Sequence, residues 1–142
     1  MNALPVIQNI LFIDIETVPQ HPDYSRMPKR MKKLWDKKCE NFKEDKIPRE
    51  FYDRAGIYSE FGKIICICCG YFNDNQEFVS QEFYGHDEKA ILLEFKNLIN
   101  TKFYLNTKVL CAHNGKEFDF PYISRRMLIH KIPLPSMLEI AG

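Results

Sequence analysis

The segment "KIICICCGYF" (residues 63–72) constrains the fold of this chain most strongly. It is apolar at consecutive positions, so both faces of a strand built from it must be covered by other parts of the protein. A run of this kind is typical of a central strand. A second run, "NILFIDI" (9–15), alternates and places Leu11, Ile13 and Ile15 on one face. Two such strands in one short chain indicate a layered domain around a sheet.

The remaining segments supply the other elements of an α/β fold. "NDNQ" (73–76) has turn chemistry, and "EFVSQEFY" (77–84) then completes a hairpin as a half-exposed edge strand. Asp87 is a good N-cap for a helix whose apolar residues recur at helical spacing. A short strand at 108–113 and a helix at 119–130 follow. The order predicts an α/β chain with a mixed sheet, and the apolar helix positions are Ile91, Leu92, Phe95, Leu98 and Ile99.

Residues 20–61 form a mostly helical, basic insertion between the first two strands of a single domain, 1–142. Its segment 29–46 carries eight Lys or Arg against four Asp or Glu, interleaved with Trp35 and Phe42. Basic and aromatic residues together suit a nucleic-acid strand through phosphate contacts and base stacking. The alternative, which we favour, is a solvated helix whose aromatic residues pack on the core. The candidate nucleic-acid contacts are Lys32 and Lys33, with Arg125 and Arg126, which we first interpret as surface charge.

Composition excludes several classes of protein. The net charge is +1, so no overall field attracts nucleic acid or a membrane. No apolar run approaches the roughly 20 residues of a membrane span, and the N-terminus lacks the features of a signal peptide. The five cysteines are odd in number, and no second ligand pair accompanies Cys66, Cys68 and Cys69 at a zinc-site spacing. We expect small buried thiols, a cytoplasmic protein, no membrane partner and no disulfide-linked partner.

Two acids interrupt the first strand near its end. Asp14 and Glu16 are two residues apart, which places them on one face of a strand with Cα atoms about 6.6–7 Å apart. Two carboxylates about 6 Å apart repel by roughly 3 kcal/mol at an effective dielectric constant of 20. A bound dication reverses that repulsion, and carboxylate oxygens suit Mg²⁺ or Mn²⁺. The alternative is a pair of acids that reaches solvent where the strand ends.

A second polar segment, "CAHNGKEFDF" (111–120), also follows an apolar strand and leads into a helix. If that strand lies beside the first one, Asp119 can approach Asp14 and Glu16, because ligands of α/β sheets bind at the carboxyl ends of strands. Asp119 by itself has an ordinary alternative as the N-cap of the helix that follows. Asn114 by itself is an ordinary loop residue.

Together the two segments resemble a known family. "FIDIET" is similar to the D-x-E motif of the DEDD (DnaQ-like) 3′–5′ exonucleases, and "HNGKEFD" is similar to their N-x-x-x-F-D motif in family B DNA polymerase proofreading domains. "AGIYSEFGKIICICCGYF" and "EFDFPYISRRMLIHKIPLP" resemble predicted bacterial exonucleases related to those domains. The resemblance spans nearly the whole chain and implies a ribonuclease H-like fold.

The resemblance also implies a site and an activity. Asp14, Glu16 and Asp119 would be three of four catalytic, metal-binding acids that hold two Mg²⁺ or Mn²⁺ ions in the complete site. Thr17, Asn114 and Phe118 would bind the terminal nucleotide. The implied activity is hydrolysis from the 3′ end of a single-stranded nucleic acid, with DNA favoured over RNA.

The family's third motif, Y-x-x-x-D or H-x-x-x-x-D, does not occur after the second one. Tyr122 is followed four places on by Arg126, and His113 five places on by Phe118. We therefore interpret residues 1–142 as the N-terminal portion of the domain, without its last strand and helix. We expect these residues alone to bind metal weakly and to cleave poorly or not at all.

Two other functions compete with the nuclease. "FIDIETV" is similar to the D-x-D-x-T/V loop of haloacid-dehalogenase phosphatases, but its second acid is Glu16 and the N-x-x-x-F-D motif has no role there. The stronger competitor is a non-catalytic nucleic-acid-binding module with a ribonuclease H-like fold.

Overall fold

A computed structural model of the protein describes residues 6–139. These residues form two compact units. The first contains the described residues up to Glu16 and from Ile64 onward, and the second is Thr17–Lys63. The segment 20–61, predicted as an insertion, lies inside the second unit. No helix in the described part of the chain is long and apolar enough to cross a membrane.

Four strands form a mixed sheet in the order β3-β2-β1-β4. They are β1 (Ile10–Pro19), β2 (Gly62–Phe72), β3 (Phe78–Tyr84) and β4 (Val109–Cys111). The β2–β3 hairpin is antiparallel, and β1 and β4 are parallel neighbours. The apolar run of β2 is flanked on both sides, as predicted, and β3 is an edge strand with mostly exposed residues. This is the mixed sheet of an α/β fold, as the sequence predicted.

Within residues 6–139, three α-helices and four 3₁₀ segments accompany the sheet. The helices are α1 (Lys29–Cys39), α2 (Glu88–Lys102) and α3 (Asp119–Ile129). Helix α2 begins where expected, because the Asp87 carboxylate accepts hydrogen bonds from the backbone N–H groups of Lys89 and Ala90. The 3₁₀ segments are Ile7–Asn9, Tyr24–Arg26, Pro48–Ile57 and Ser136–Leu138.

The core of the first unit lies against one face of the sheet. Leu11, Ile13 and Ile15 of β1 are buried there, while the residues between them are not. The apolar positions predicted for α2 are all buried in the same cluster: Ile91, Leu92, Phe95, Leu98 and Ile99. The alternation on β1 therefore leaves its other face for polar side chains.

The second unit has its own core around Trp35, whose side chain is fully buried. The indole Nε1–H donates to the carbonyl of Pro48 at 2.8 Å. The ring makes edge contacts with Phe61 and Tyr52, at centroid distances of 5.1 and 5.7 Å. Phe42, half-buried, packs against this cluster. The structure therefore confirms the packing interpretation of Trp35, which is not free to stack on a base.

The cysteines of β2 differ in burial. Cys69 is buried, whereas Cys66 and Cys68 are half-buried with their Sγ atoms 3.6 Å apart. The expectation of buried thiols is thus right for Cys69 and wrong for the other two, because their face of the sheet is less fully covered. Every cysteine in the described part of the chain is a free thiol.

Candidate functional site

The two acids of the first strand lie on the polar face of β1. Asp14 and Glu16 are exposed, and Ile13 and Ile15 beside them are buried. This follows from the period of two in a strand, which sends alternate side chains to opposite faces. Both carboxylates therefore reach solvent without disturbing the core.

The chain brings Asp119 to this strand through the pairing of β4 with β1. Because these strands are parallel, their carboxyl ends lie at the same edge of the sheet. The loop after β4 turns through Asn114, which has a positive φ of 56°, and its carbonyl accepts from the N–H of Phe118 at 3.0 Å. Helix α3 then begins with Asp119 as its first residue.

The N-cap alternative for Asp119 is wrong. Phe118 occupies the N-cap position of α3, and Asp119 is the first residue of the helix itself. The Asp119 side chain instead accepts a hydrogen bond from the backbone N–H of Ile15 on β1. A helix residue thus fixes its carboxylate on the strand that carries the other acids.

The Asp119 carboxyl is buried, with 3% of the residue exposed. Burial is the largest effect and raises the pKa of Asp119 above the ordinary 3.8, and the negative charge of Asp14 raises it further. Hydrogen bonds from the N–H groups of Asp119 itself and of Ile15, together with His113, offset only part of this increase. The effect of the Asp14 charge on this pKa indicates that the two carboxyl groups are near each other. His113 belongs to this neighbourhood as well, and the sequence analysis assigned it no role although it immediately precedes Asn114.

Glu16 has different neighbours. The pKa of the Cys66 thiol is raised to about 11, chiefly by burial and then by the neighbouring Cys68. The charges of Glu82 and Glu16 add to this effect. Glu16 therefore lies toward the thiols of β2. Among residues 6–139, no group of three or more His, Cys, Asp or Glu side chains could hold a metal ion. The arrangement is a close pair of acids with a third one on the same strand.

The oxygen donors nevertheless suit a divalent ion in chemical type. Asp119 is buried beside a like charge, which a cation near Asp14 and Asp119 would relieve. Hard carboxylate oxygens are the ligands that Mg²⁺ and Mn²⁺ prefer. Asp14 and Asp119 therefore fit such an ion, with Glu16 as the nearby third acid.

The predicted substrate-binding residues lie on β1 and in the segment just before α3, and they differ in burial. Thr17 lies on β1 and is half-buried, and Asn114 is exposed in the loop before α3. Phe118 is half-buried and packs against the core, with its ring 5.4 Å from that of Tyr122. Gly115 beside Asn114 is required by packing, because a Cβ there would come within 2.6 Å of the Phe120 ring.

The four basic residues predicted to contact nucleic acid differ in how exposed their side chains are. Lys33 and Arg125 are exposed, and Lys32 is half-buried with its Nζ donating to the carbonyl of Ser25 at 2.7 Å. Arg126 is only 4% exposed, so its assignment to the surface is wrong. Its guanidinium donates to both carboxylate oxygens of Glu88, at 2.9 and 2.6 Å. Because Arg126 is buried in this ion pair, it is not a nucleic-acid contact.

Comparisons with known proteins place the fold in a family. A profile of the RNase H superfamily matches residues 53–140, which is more than half of the chain and includes the second motif. One matching solved structure is the family B DNA polymerase from the hyperthermophilic archaeon Pyrobaculum calidifontis, at 16% identity and a TM-score of 0.48. The match covers 94% of this chain and 13% of the polymerase chain, so this chain spans a small part of that protein. No curated protein matches the sequence significantly.

The family assignment agrees with the α/β fold and its mixed sheet. RNase H-like proteins are broadly nucleases, and RNase H-like nucleases typically use divalent metal ions. The extent of the profile match and the mixed sheet lead to one conclusion: this chain belongs to the RNase H superfamily.

Proposed function

We propose that the protein acts as a 3′–5′ exonuclease on single-stranded nucleic acid, with DNA favoured over RNA. The observation that carries this proposal is the buried Asp119 carboxyl, which accepts from the Ile15 N–H and is charge-coupled to Asp14. Buried carboxyl groups with a raised pKa beside a second acid are common at functional sites, although such a group lowers the folding stability of the protein. Membership in the RNase H superfamily supports nuclease chemistry at this place.

The roles follow from how each acid is held. Asp119 is fixed by burial and by the Ile15 N–H, so it can act as a rigid ligand. Asp14 is exposed beside it and can reach both an ion and a substrate phosphate, and Glu16 would complete the set. Two divalent ions, when bound, supply an activated water and stabilise the leaving 3′ oxygen. Asn114 and Phe118, in the loop that delivers Asp119, would contact the terminal nucleotide.

Metal binding tests the proposal independently of turnover. We expect Mn²⁺, followed by electron paramagnetic resonance or calorimetry, to bind weakly to the protein. Asp14→Asn and Asp119→Asn should each weaken this binding by about tenfold or more. The matched control is Glu94→Gln, because Glu94 is exposed on α2. Equal Mn²⁺ binding by Asp14→Asn and the unsubstituted protein would contradict the proposed site.

Cleavage is tested with 5′-labelled single-stranded DNA and RNA in Mg²⁺. The 142 residues contain no Y-x-x-x-D after the second motif, so we expect slow shortening from the 3′ end at most. Any such activity should disappear in Asp14→Ala, and a blocked 3′ end should prevent it. Internal cuts in a 3′-blocked substrate would exclude an exonuclease.

One observation favours a second candidate, a non-catalytic nucleic-acid-binding module. The described residues contain no group of three potential metal ligands. A binding module would retain single-strand affinity in Asp14→Asn and would show no Mn²⁺ binding that depends on Asp14 and Asp119. The same titration therefore separates the two candidates.

A further inference from the structure

A cavity of about 290 Å³ lies in the first unit, far from the acids. It is lined by Gln8, just before β1, by Tyr71 at the end of β2, and by Lys108, just before β4. Asp14 is four residues along β1 from Ile10, which corresponds to roughly 13 Å of strand. The cavity is therefore at the amino ends of β1 and β4, whereas the acids lie toward the carboxyl ends.

Two ammonium groups line this cavity, and each makes one hydrogen bond to a described residue. Lys102 Nζ donates to the Tyr71 hydroxyl at 2.6 Å, and Lys108 Nζ donates to the carbonyl of Gln8 at 3.0 Å. Each ammonium has three N–H donors. Within residues 6–139, neither Lys102 nor Lys108 forms an ion pair with a carboxylate. Two positive charges thus face one cavity, whose lining also includes the single negative charge of Asp74.

Two further polar groups of the cavity are short of partners. Tyr71 is 5% exposed, and because its hydroxyl accepts from Lys102, the hydroxyl proton remains for another acceptor. The buried Gln8 Oε1 has no hydrogen-bond partner in the described part of the chain. The cavity therefore has three donor groups close together, together with one buried acceptor that needs a donor.

These groups define the ligand by its chemistry. Lys102, Lys108 and Tyr71 suit a phosphate, and the Gln8 oxygen suits a sugar hydroxyl. The ring of Phe103, which lines the cavity with its centroid 5.6 Å from Lys108 Nζ, supplies an aromatic wall for a base. The volume is at the lower end of the range of small-molecule pockets. We propose that this cavity binds one nucleoside monophosphate, with the phosphate on the two lysines.

A single small ligand fits better than a continuous strand. Two lysines against Asp74 leave the lining with a net charge of +1, which can offset one phosphate group but not a series of them. Nucleoside monophosphates are the product class of the proposed exonuclease, but binding in this cavity does not require cleavage. A failure of the nuclease proposal would therefore leave this one standing, because the two sites share no residue.

Calorimetry on the full chain tests the site with adenosine 5′-monophosphate, inorganic phosphate, adenosine and a single-stranded oligonucleotide as separate titrants. We expect the monophosphate to bind most tightly. Lys102→Gln and Lys108→Gln should each weaken its binding by about tenfold or more, because each removes a charge-assisted hydrogen bond. Tyr71→Phe should weaken it by a smaller factor. The matched control is Lys89→Gln, an exposed lysine in the first turn of the same helix as Lys102.

Any of four results would overturn the proposal. Equal affinity for adenosine and its monophosphate would show that the phosphate is not contacted, and equal affinity for inorganic phosphate and the monophosphate would show that the base and sugar are not contacted. Tighter binding of the oligonucleotide through the same lysines would make the site a strand contact. Unchanged affinity in both lysine variants would place the ligand elsewhere. Lys102→Arg keeps the charge and should retain binding, so it separates loss of the site from loss of folding.

Discussion

At the scale of single residues, Asp119 is the clearest case of a side chain held at a cost. Its carboxyl is buried beside the charge of Asp14, and both effects raise its pKa. A group whose ionised form is disfavoured in the folded state lowers folding stability at every pH at which it ionises. The hydrogen bond from the Ile15 N–H offsets only part of this cost. This energetic cost is consistent with the ligand role proposed for Asp119.

Asp119→Asn should stabilise the metal-free protein at pH 7, because it removes the buried charge while its amide oxygen can still accept from Ile15. The gain in unfolding free energy should be on the order of 1 kcal/mol, measured by urea unfolding. The pKa of Asp119 in the folded state lies above the ordinary 3.8. The loss of folding stability caused by the native aspartate therefore begins near pH 3.8 and grows as pH rises to the folded pKa. The difference between variant and native protein should therefore vanish below about pH 3.8. A destabilised Asp119→Asn at pH 7 would show that the carboxylate supports the fold.

At the scale of elements, Glu88 joins one strand and two helices. Its carboxylate, at the start of α2, accepts from the Ile64 N–H of β2 at 2.7 Å and from Arg126 of α3. His130, at the end of α3, lies 2.7 Å from it through Nε2. Burial acts to raise the pKa of Glu88, but Arg126, Ile64 and His130 together outweigh burial and hold that pKa below its usual value. A single carboxylate therefore fixes the start of α2 against β2 and α3.

Glu88→Gln should be strongly destabilising, because it removes the charge of the carboxylate to which the buried Arg126 guanidinium donates at 2.9 and 2.6 Å. Loss of one partner of a buried ion pair costs about 3–5 kcal/mol, which thermal or urea unfolding would show directly. The folded pKa is lowered, so the native advantage is complete above about pH 4.5 and is lost as pH falls through the lowered folded value.

Two further variants test this ion pair. Glu94→Gln, an exposed substitution on the same helix, should change the unfolding free energy by less than about 0.5 kcal/mol. The double variant Glu88→Leu with Arg126→Met should cost less than Glu88→Gln, because it removes both charges together. A cost for Glu88→Gln as small as that for Glu94→Gln would mean that the pair contributes little.

At the scale of the whole molecule, the net charge of +1 cannot attract nucleic acid, so any such attraction must be local. The basic segment 29–46 lies in the second unit, where α1 turns Trp35 inward and leaves Lys33 exposed. The contribution of this unit to binding would then come from phosphate contacts and not from stacking on Trp35.

Lys33→Gln is the cleaner test of these contacts, since Lys32 already donates to the Ser25 carbonyl and carries a structural role. We expect weaker binding of a single-stranded oligonucleotide, with the slope of log affinity against log salt reduced by about 0.7 for one lost phosphate contact. Fluorescence anisotropy over a salt series measures both quantities. Lys96→Gln on α2 is the charge-matched control. An unchanged slope in Lys33→Gln would assign the basic segment to solubility alone.

Much of the fold could be predicted because local rules and the tertiary structure agree. The apolar run of β2, the alternation of β1 and the Asp87 cap each specify their element without help from distant residues. Arg126 could not be predicted from local pattern, because its burial depends on Glu88, a carboxylate 38 residues away in sequence. The partial burial of Cys66 and Cys68 likewise depends on what covers their face of the sheet.

The sequence by itself determined the strands and helices and the polar face of β1 with Asp14 and Glu16. It also determined that a second acid-bearing segment follows another strand. These features depend on the period of the side chains and on short-range capping. Only the tertiary structure decided that β4 pairs in parallel with β1 and that Asp119 accepts from the Ile15 N–H beside Asp14. It also decided that Arg126 is buried on Glu88 and that Lys102 and Lys108 face one cavity. These facts depend on strand order and on packing between segments far apart in the chain, which no local pattern encodes.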